Sequence, residues 1–219
     1  TTASNNTAVG YRAAFTNTTG EGNTALGTEA LELGTSSYNT ALGYKALENS
    51  STGENLAVGA YALYLNTTGT ANVAIGGFAD GTFSALNANT TGSYNVAVGT
   101  GALQDNTTAS RNTAVGYQAG YNQTDGGNYN TYTGYRAGWR NTGGDFNTYY
   151  GYEAGFDNQG GTGNTYIGRS AGYYMNNGHY NTILGGYNGN QDSVDIRTAS
   201  NRIVISDGAG NVGLYMDNN

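Results

Sequence analysis

The sequence predicts an all-β protein, a parallel β-solenoid of about eleven coils of 16–18 residues with a C-terminal β-hairpin. Three observations carry this reading. An Asn recurs at 6, 23, 39, 55, 72, 95, 112, 130, 147, 164 and 181. A Gly stands four residues after every one of them, from Gly10 to Gly185. An Ala stands seven after it in every copy but the last, where Asn188 takes the place. Self-similarity at a fixed period is the signature of a repeat architecture.

Spacings of 16 to 18 residues, with one of 23, are too short for two helices and a turn. Each unit opens with a stretch such as NTAVG or NTYIG, rich in the β-branched and aromatic residues that suit strands. It closes with turn residues such as NTTG, TDGG or NTGG. A short strand, a corner at the Gly, a second short segment through the Ala and a loop make one coil. Stacked coils repeat at roughly 4.8 Å, so eleven make a rod on the order of 50 Å long. The Gly column fits a corner needing positive φ or close backbone approach. The Ala column fits where the interior has room for one methyl group. The Asn column is expected to form a ladder in which each side-chain amide bonds to the next.

Composition bounds the function. The 219 residues include 37 Gly, 20 Tyr, no Pro and no Cys. Collagen is excluded by the Gly spacing and the missing Pro. With 37% hydrophobic residues the chain can bury a core, so disorder is not expected. The formal charge of −7 disfavours nucleic acid or an anionic membrane as partner. There is no long apolar run and no basic-then-apolar leader, so a soluble chain without membrane insertion is expected, mature or excised. No Cys is available for disulfide or thiol chemistry.

The phrases NTALGYKAL (39–47), NVAIG (72–76), NVAVG (95–99) and NTAVGYQAG (112–120) resemble the head repeats of trimeric autotransporter adhesins and repeats in long tail fibres of bacteriophages. The closing NRIVISDGAGNVGLYMDNN (201–219) is similar to the segment that follows such repeats in phage-type fibres. The resemblance implies a left-handed β-roll, commonly a homotrimer, projecting from a cell or virion and engaging a surface. The period here is longer than the usual adhesin-head repeat.

The units fall into two sets. Two residues after the Asn stands Ala in the first seven, then Tyr132, Tyr149 and Tyr166 in the next three. A second aromatic column stands nine after it (Tyr121, Trp139, Phe156, Tyr173), and a third five after it (Tyr117, Tyr135, Tyr152). The expected organisation is a repeat domain over 1–189, Ala-rich over 6–111 and Tyr-rich over 112–187. Residues 190–219 are expected to leave the coil pattern and either cover the open last edge or pair with the first coil of a neighbouring chain. The three columns are either stacking ladders or an amphipathic binding surface, and both can hold in one rod because three columns cannot all face inward. The long fifth unit places its extra residues around 80–89, with Phe83 and Leu86 as loop candidates for binding, although a bulged-out loop is the plainer reading.

Catalytic and cofactor signatures are missing from the sequence. The single His179 lies in a turn sequence, no His/Cys cluster or calcium repeat occurs, and Glu29, Glu48, Glu153, Asp145 and Asp157 form no recognisable pair. No cofactor and no metal site are expected. Asn17, Asn66, Asn89 and Asn106 open N-T-T triplets that match glycosylation acceptors in form, though the same triplet makes a good turn. The reading is a non-catalytic extracellular adhesive or receptor-binding fibre segment, on a cell surface or virion, with a glycan or protein receptor and self-association. The alternative is a structural filament polymerising end to end. Ice binding would need a Thr array, and that column is broken at Leu56, Val73 and Val96.

Overall fold

The computed structural model describes residues 2–78, 80–124 and 126–217. It is all-β, and the coils begin where the Asn column places them. Each Asn is followed by a three-residue strand: β1 (Thr7–Val9), β2 (Thr24–Leu26), β3 (Thr40–Leu42), β4 (Leu56–Val58), β5 (Val73–Ile75), β6 (Val96–Val98), β7 (Thr113–Val115), β8 (Thr131–Thr133), β9 (Thr148–Tyr150), β10 (Thr165–Ile167) and β11 (Thr182–Leu184). Successive strands pair in parallel and in strict register, Thr7 on Thr24 and Thr148 on Thr165, for example. The second segment, through the Ala column, is not a strand. It is a run of turns, bonded coil to coil through pairs such as the Leu31 amide on the Ala46 carbonyl.

This turn run is held by left-handed residues. Positive φ occurs just before most Asn residues (Tyr38, Tyr129) and at the sixth and eighth positions after them (Lys45, Leu47). Such backbone is costly for a residue with a Cβ. It persists because each rung is hydrogen-bonded to the next, so no coil can relax alone.

The Asn column works differently from the expected ladder. Each side-chain oxygen accepts the backbone N–H of the Asn in the following coil, at 2.8 to 3.1 Å. In the coils other than that of Asn112, the amide nitrogen donates to a loop carbonyl at the other end of its own coil, as Asn130 does to Gly144 at 2.8 Å. One side chain thus closes its coil and fastens it to the next. A true amide-to-amide ladder exists elsewhere, in three of the N-T-T triplets. Asn106 donates to Asn89 and Asn89 to Asn66, both at 2.8 Å, with all three buried. Those three are interior turn residues and present no side chain for glycosylation in the folded protein.

The core changes composition halfway along the rod by exchange between two columns. In coils two to six the inward strand residue is Ala, and a buried Leu (Leu31, Leu47, Leu63, Leu86, Leu103) fills the space six residues later, or twelve in the long fifth coil. In coils eight to ten the strand residue is Tyr132, Tyr149 or Tyr166, and the facing position is Gly138, Gly155 or Gly172. A Cβ on Gly155 would sit 2.5 Å from the Tyr149 ring. Small plus large becomes large plus small, and the interior stays filled. The buried rings stack on one another, Tyr149 on Tyr166 at 4.9 Å. The hydroxyls of Tyr132 and Tyr149 meet amides placed for them, Asn141 and Asn158.

Burial pushes the hydroxyls of Tyr132, Tyr149 and Tyr166 well above the ordinary tyrosine pKa. Because the folded value is raised, this contribution to stability is complete below the unfolded value of about 10 and is lost as pH climbs from there through the raised values. Alkaline titration followed by phenolate absorbance and circular dichroism should show surface tyrosines ionising with the fold intact. A second class should ionise only as the β signal collapses. A single reversible class covering all 20 Tyr would contradict this core.

The fifth coil corrects the sequence alignment. Ala79 lies outside the described residues, and Ala85 is the buried member of the Ala column. Leu86 is therefore a core residue and not a loop candidate. The extra length falls before Ala85 and does not bulge free. Gly81 lies against the Tyr61 ring, and Ser84 donates to the Ala60 carbonyl at 2.8 Å.

The C-terminal segment stays in the stack for one more turn. After a short hairpin, β12 (Asn190–Gln191) and β13 (Val194–Asp195), strand β14 (Arg202–Ser206) pairs in parallel with β11. Arg202 takes the place of the Asn and donates its backbone N–H to Asn181 at 2.9 Å. Strand β15 (Val212–Asp217) then runs antiparallel to β14 and completes a 13-stranded sheet.

Candidate binding surface

In a strand, alternate residues face opposite sides. The middle residue of each strand is inward, so the first and third project outward along the whole sheet. The third positions form one apolar line: Val9, Leu26, Leu42, Val58, Ile75, Val98, Val115, then Tyr150, Ile167, Leu184 and Ile205, with Thr133 the single polar member. Most are exposed, Val9 and Tyr150 by 57% and 59%. Leu214 of β15 continues it, because it pairs with Ile205. Sequence reasoning missed this line. The outward Val, Leu and Ile were read as strand propensity, and no column was drawn through them.

The two aromatic columns are also outside the core. Tyr117, Tyr135 and Tyr152 stack at 5.4 and 5.1 Å and are exposed. Tyr121, Trp139, Phe156 and Tyr173 stack at 6.0, 5.0 and 4.7 Å and are half-buried. Phe83 extends the second column downward, 6.2 Å from Tyr121, and Phe78 lies edge-on to Phe83. The insertion thus joins the tyrosines of coils three and four to the aromatic column above. A further set lies before the Asn column, where Arg111 sits over the rings of Tyr94 and Tyr129, and Tyr129 stacks on Phe146.

Stacking has a chemical consequence. Rings stacked along the rod turn their faces to one another and show solvent their edges and hydroxyls. Tyr174, at the end of the second column, departs from this. It lies at 73° to Tyr173 and is 53% exposed, so it offers a ring face.

Beside the second column runs a polar depression. One hollow of about 350 Å³ is lined by Asn122, Thr124, Arg140, Thr142 and Gln159. A second of about 460 Å³ is lined by Asp157, Tyr174, Asn176, Asp195, Arg197 and Thr198. Arg140 bridges them through a 3.0 Å ion pair with Asp157.

Four of the five carboxylates considered for catalysis, Glu29, Glu48, Asp145 and Asp157, have structural partners. Glu29 and Glu48 both hold Lys45, at 3.1 and 3.2 Å, and the Asp145 carboxylate accepts the Asn128 amide. Asp195 pairs with Arg197 at 2.7 Å, and Asp207 caps its own turn by accepting the Ala209 and Asn211 amides. Among the described residues there is no group of three His, Cys, Asp or Glu that could hold a metal ion. No helix among them is long and apolar enough to cross a membrane.

The architecture is that of a β-solenoid repeat protein. The chain matches no family model, no curated protein and no solved structure.

Proposed function

We propose that this chain is a rod segment of an extracellular fibre, on a cell surface or virion, that binds a surface receptor without catalysis and associates side by side with copies of itself. The observation that carries the reading is the apolar line on the sheet. A lone soluble rod gains nothing by exposing Val, Leu and Ile at matching positions from the first coil to the last, and contiguous apolar patches of that extent mark association sites. A second copy with the same 4.8 Å rung spacing is the surface that matches such a line along its full length. The likeness of the repeats to adhesin heads and phage tail fibres points the same way, toward a trimer. The negative charge disfavours nucleic acid as partner.

Light scattering tests this directly. The wild-type chain should give twice 22.7 kDa or a higher whole multiple. The double variant Ile75→Lys, Ile167→Lys places two charges on the exposed line and should give a single chain with an unchanged circular dichroism spectrum. A wild-type monomer across the accessible concentration range would overturn the reading.

A further inference from the structure

We propose that the polar depression beside Tyr121, Trp139, Phe156 and Tyr173 is a binding groove for a neutral, extended linear glycan, seated with about one sugar residue per coil. The proposal rests on the fibre reading for its context and names the class of receptor the rod engages.

The groove is periodic. Asn122, Arg140, Asp157 and Tyr174 occupy one column, and Thr124, Thr142, Gln159 and Asn176 occupy the column two residues on. Backbone bonds hold them in register, Asn122 to Trp139, Arg140 to Phe156, Thr142 to Gln159 and Gln159 to Asn176. Each coil therefore offers the same pair of positions at a rise of roughly 4.8 Å. Sugar rings joined through equatorial 1→4 linkages advance by close to that distance, so an extended chain stays in step with the coils, alternate residues presenting the same edge to the groove. The two hollows span five rungs, room for about four sugars at that rise.

The chemistry of the lining selects the class. Hydroxyls and amides that both donate and accept (Asn122, Thr142, Gln159) suit a ligand covered in hydroxyl groups. The Tyr174 ring face supplies an apolar platform with a polar tip, suited to the C–H face of a sugar. The charges in the lining are already paired, Arg140 with Asp157 and Arg197 with Asp195. Neither guanidinium is left without a carboxylate, and the chain's overall charge of −7 repels polyanions. A sulfated or phosphorylated polymer is therefore the wrong partner.

Calorimetric titration with cello-oligosaccharides and with oligomers of β-1,4-linked N-acetylglucosamine tests the groove, with a heparin oligosaccharide as the polyanionic comparison. At least one neutral series should bind, tightening about tenfold from disaccharide to tetrasaccharide and levelling by the hexasaccharide, a difference of ~1.4 kcal/mol. Tyr174→Ala and Gln159→Ala, both at surface positions, should each weaken binding about tenfold or more at about that same energy. Tyr11→Ala, at the opposite end of the rod, should leave it unchanged. Binding by neither neutral series overturns the proposal. So does tighter binding of heparin, or unchanged binding by Tyr174→Ala. Light scattering on the same samples reads assembly separately, so failure of the groove and failure of the fibre reading are distinguishable.

Discussion

Replacing Gly134 with Val is expected to destabilise the protein by about 3 kcal/mol or more, several times the ~1 kcal/mol of a plain Gly propensity effect. Two terms combine. Gly134 sits at φ +135°, and a Cβ there would land on the carbonyl oxygen of Gly151 in the next coil. The conformation alone costs on the order of 1–3 kcal/mol for a residue with a side chain. The clash adds a comparable amount, and it is with backbone that cannot rotate away. Gly116 repeats the geometry against Gly134, so Gly116→Val should behave alike. Urea unfolding of both variants checks this. Changes within ~0.5 kcal/mol at both sites would place the corners elsewhere.

The exchange between core columns gives the second large effect, and one that separates packing from composition. Tyr149→Ala should cost about 3–5 kcal/mol, because it empties the space of a buried ring. It also removes the Tyr149 hydroxyl that the Asn158 amide meets, leaving that amide its 3.4 Å bond to the Gly161 carbonyl. Gly155→Leu alone should also destabilise, by about 1–3 kcal/mol, since its Cβ arrives 2.5 Å from that ring. Combined, the two changes recreate the Ala-plus-Leu arrangement of coils two to six. Gly155 already has φ +60°, close to the +52° of Leu47. The double variant should therefore be more stable than the sum of the singles by about 2 kcal/mol. Simple additivity would show that the two columns do not share one space.

Much of the fold was legible because a stacked coil punishes deviation at the same place every time. The Asn side chain has one bonding arrangement and the Gly corner one backbone conformation, so both recur without exception and give the period. The core exchange was equally present in the sequence. It needed the column eight after the Asn to be read together with the column two after it, and each taken alone looks like mere variation. What could not be read was direction. On a strand the alternation of faces is fixed, but the left-handed residues after each Gly break that alternation. Spacing alone therefore did not say that Tyr149 points inward while Phe156 lies on the flank. The fifth coil misled because Ala79 stands at the expected spacing and Ala85 does the packing. Strand β14 was expected as one arm of the C-terminal hairpin, but its parallel place on β11 was hidden because Arg202 replaces the Asn that opens every earlier coil, keeping only its backbone bond to Asn181.

Electron micrographs of the purified chain test most directly the claim that this is a finite rod which associates side by side. The account predicts uniform short particles about 60 Å long, the rise of a 13-stranded stack, and thicker than a single coil stack. Long unbranched filaments would instead support end-to-end polymerisation. Compact particles with no long axis would contradict the solenoid itself.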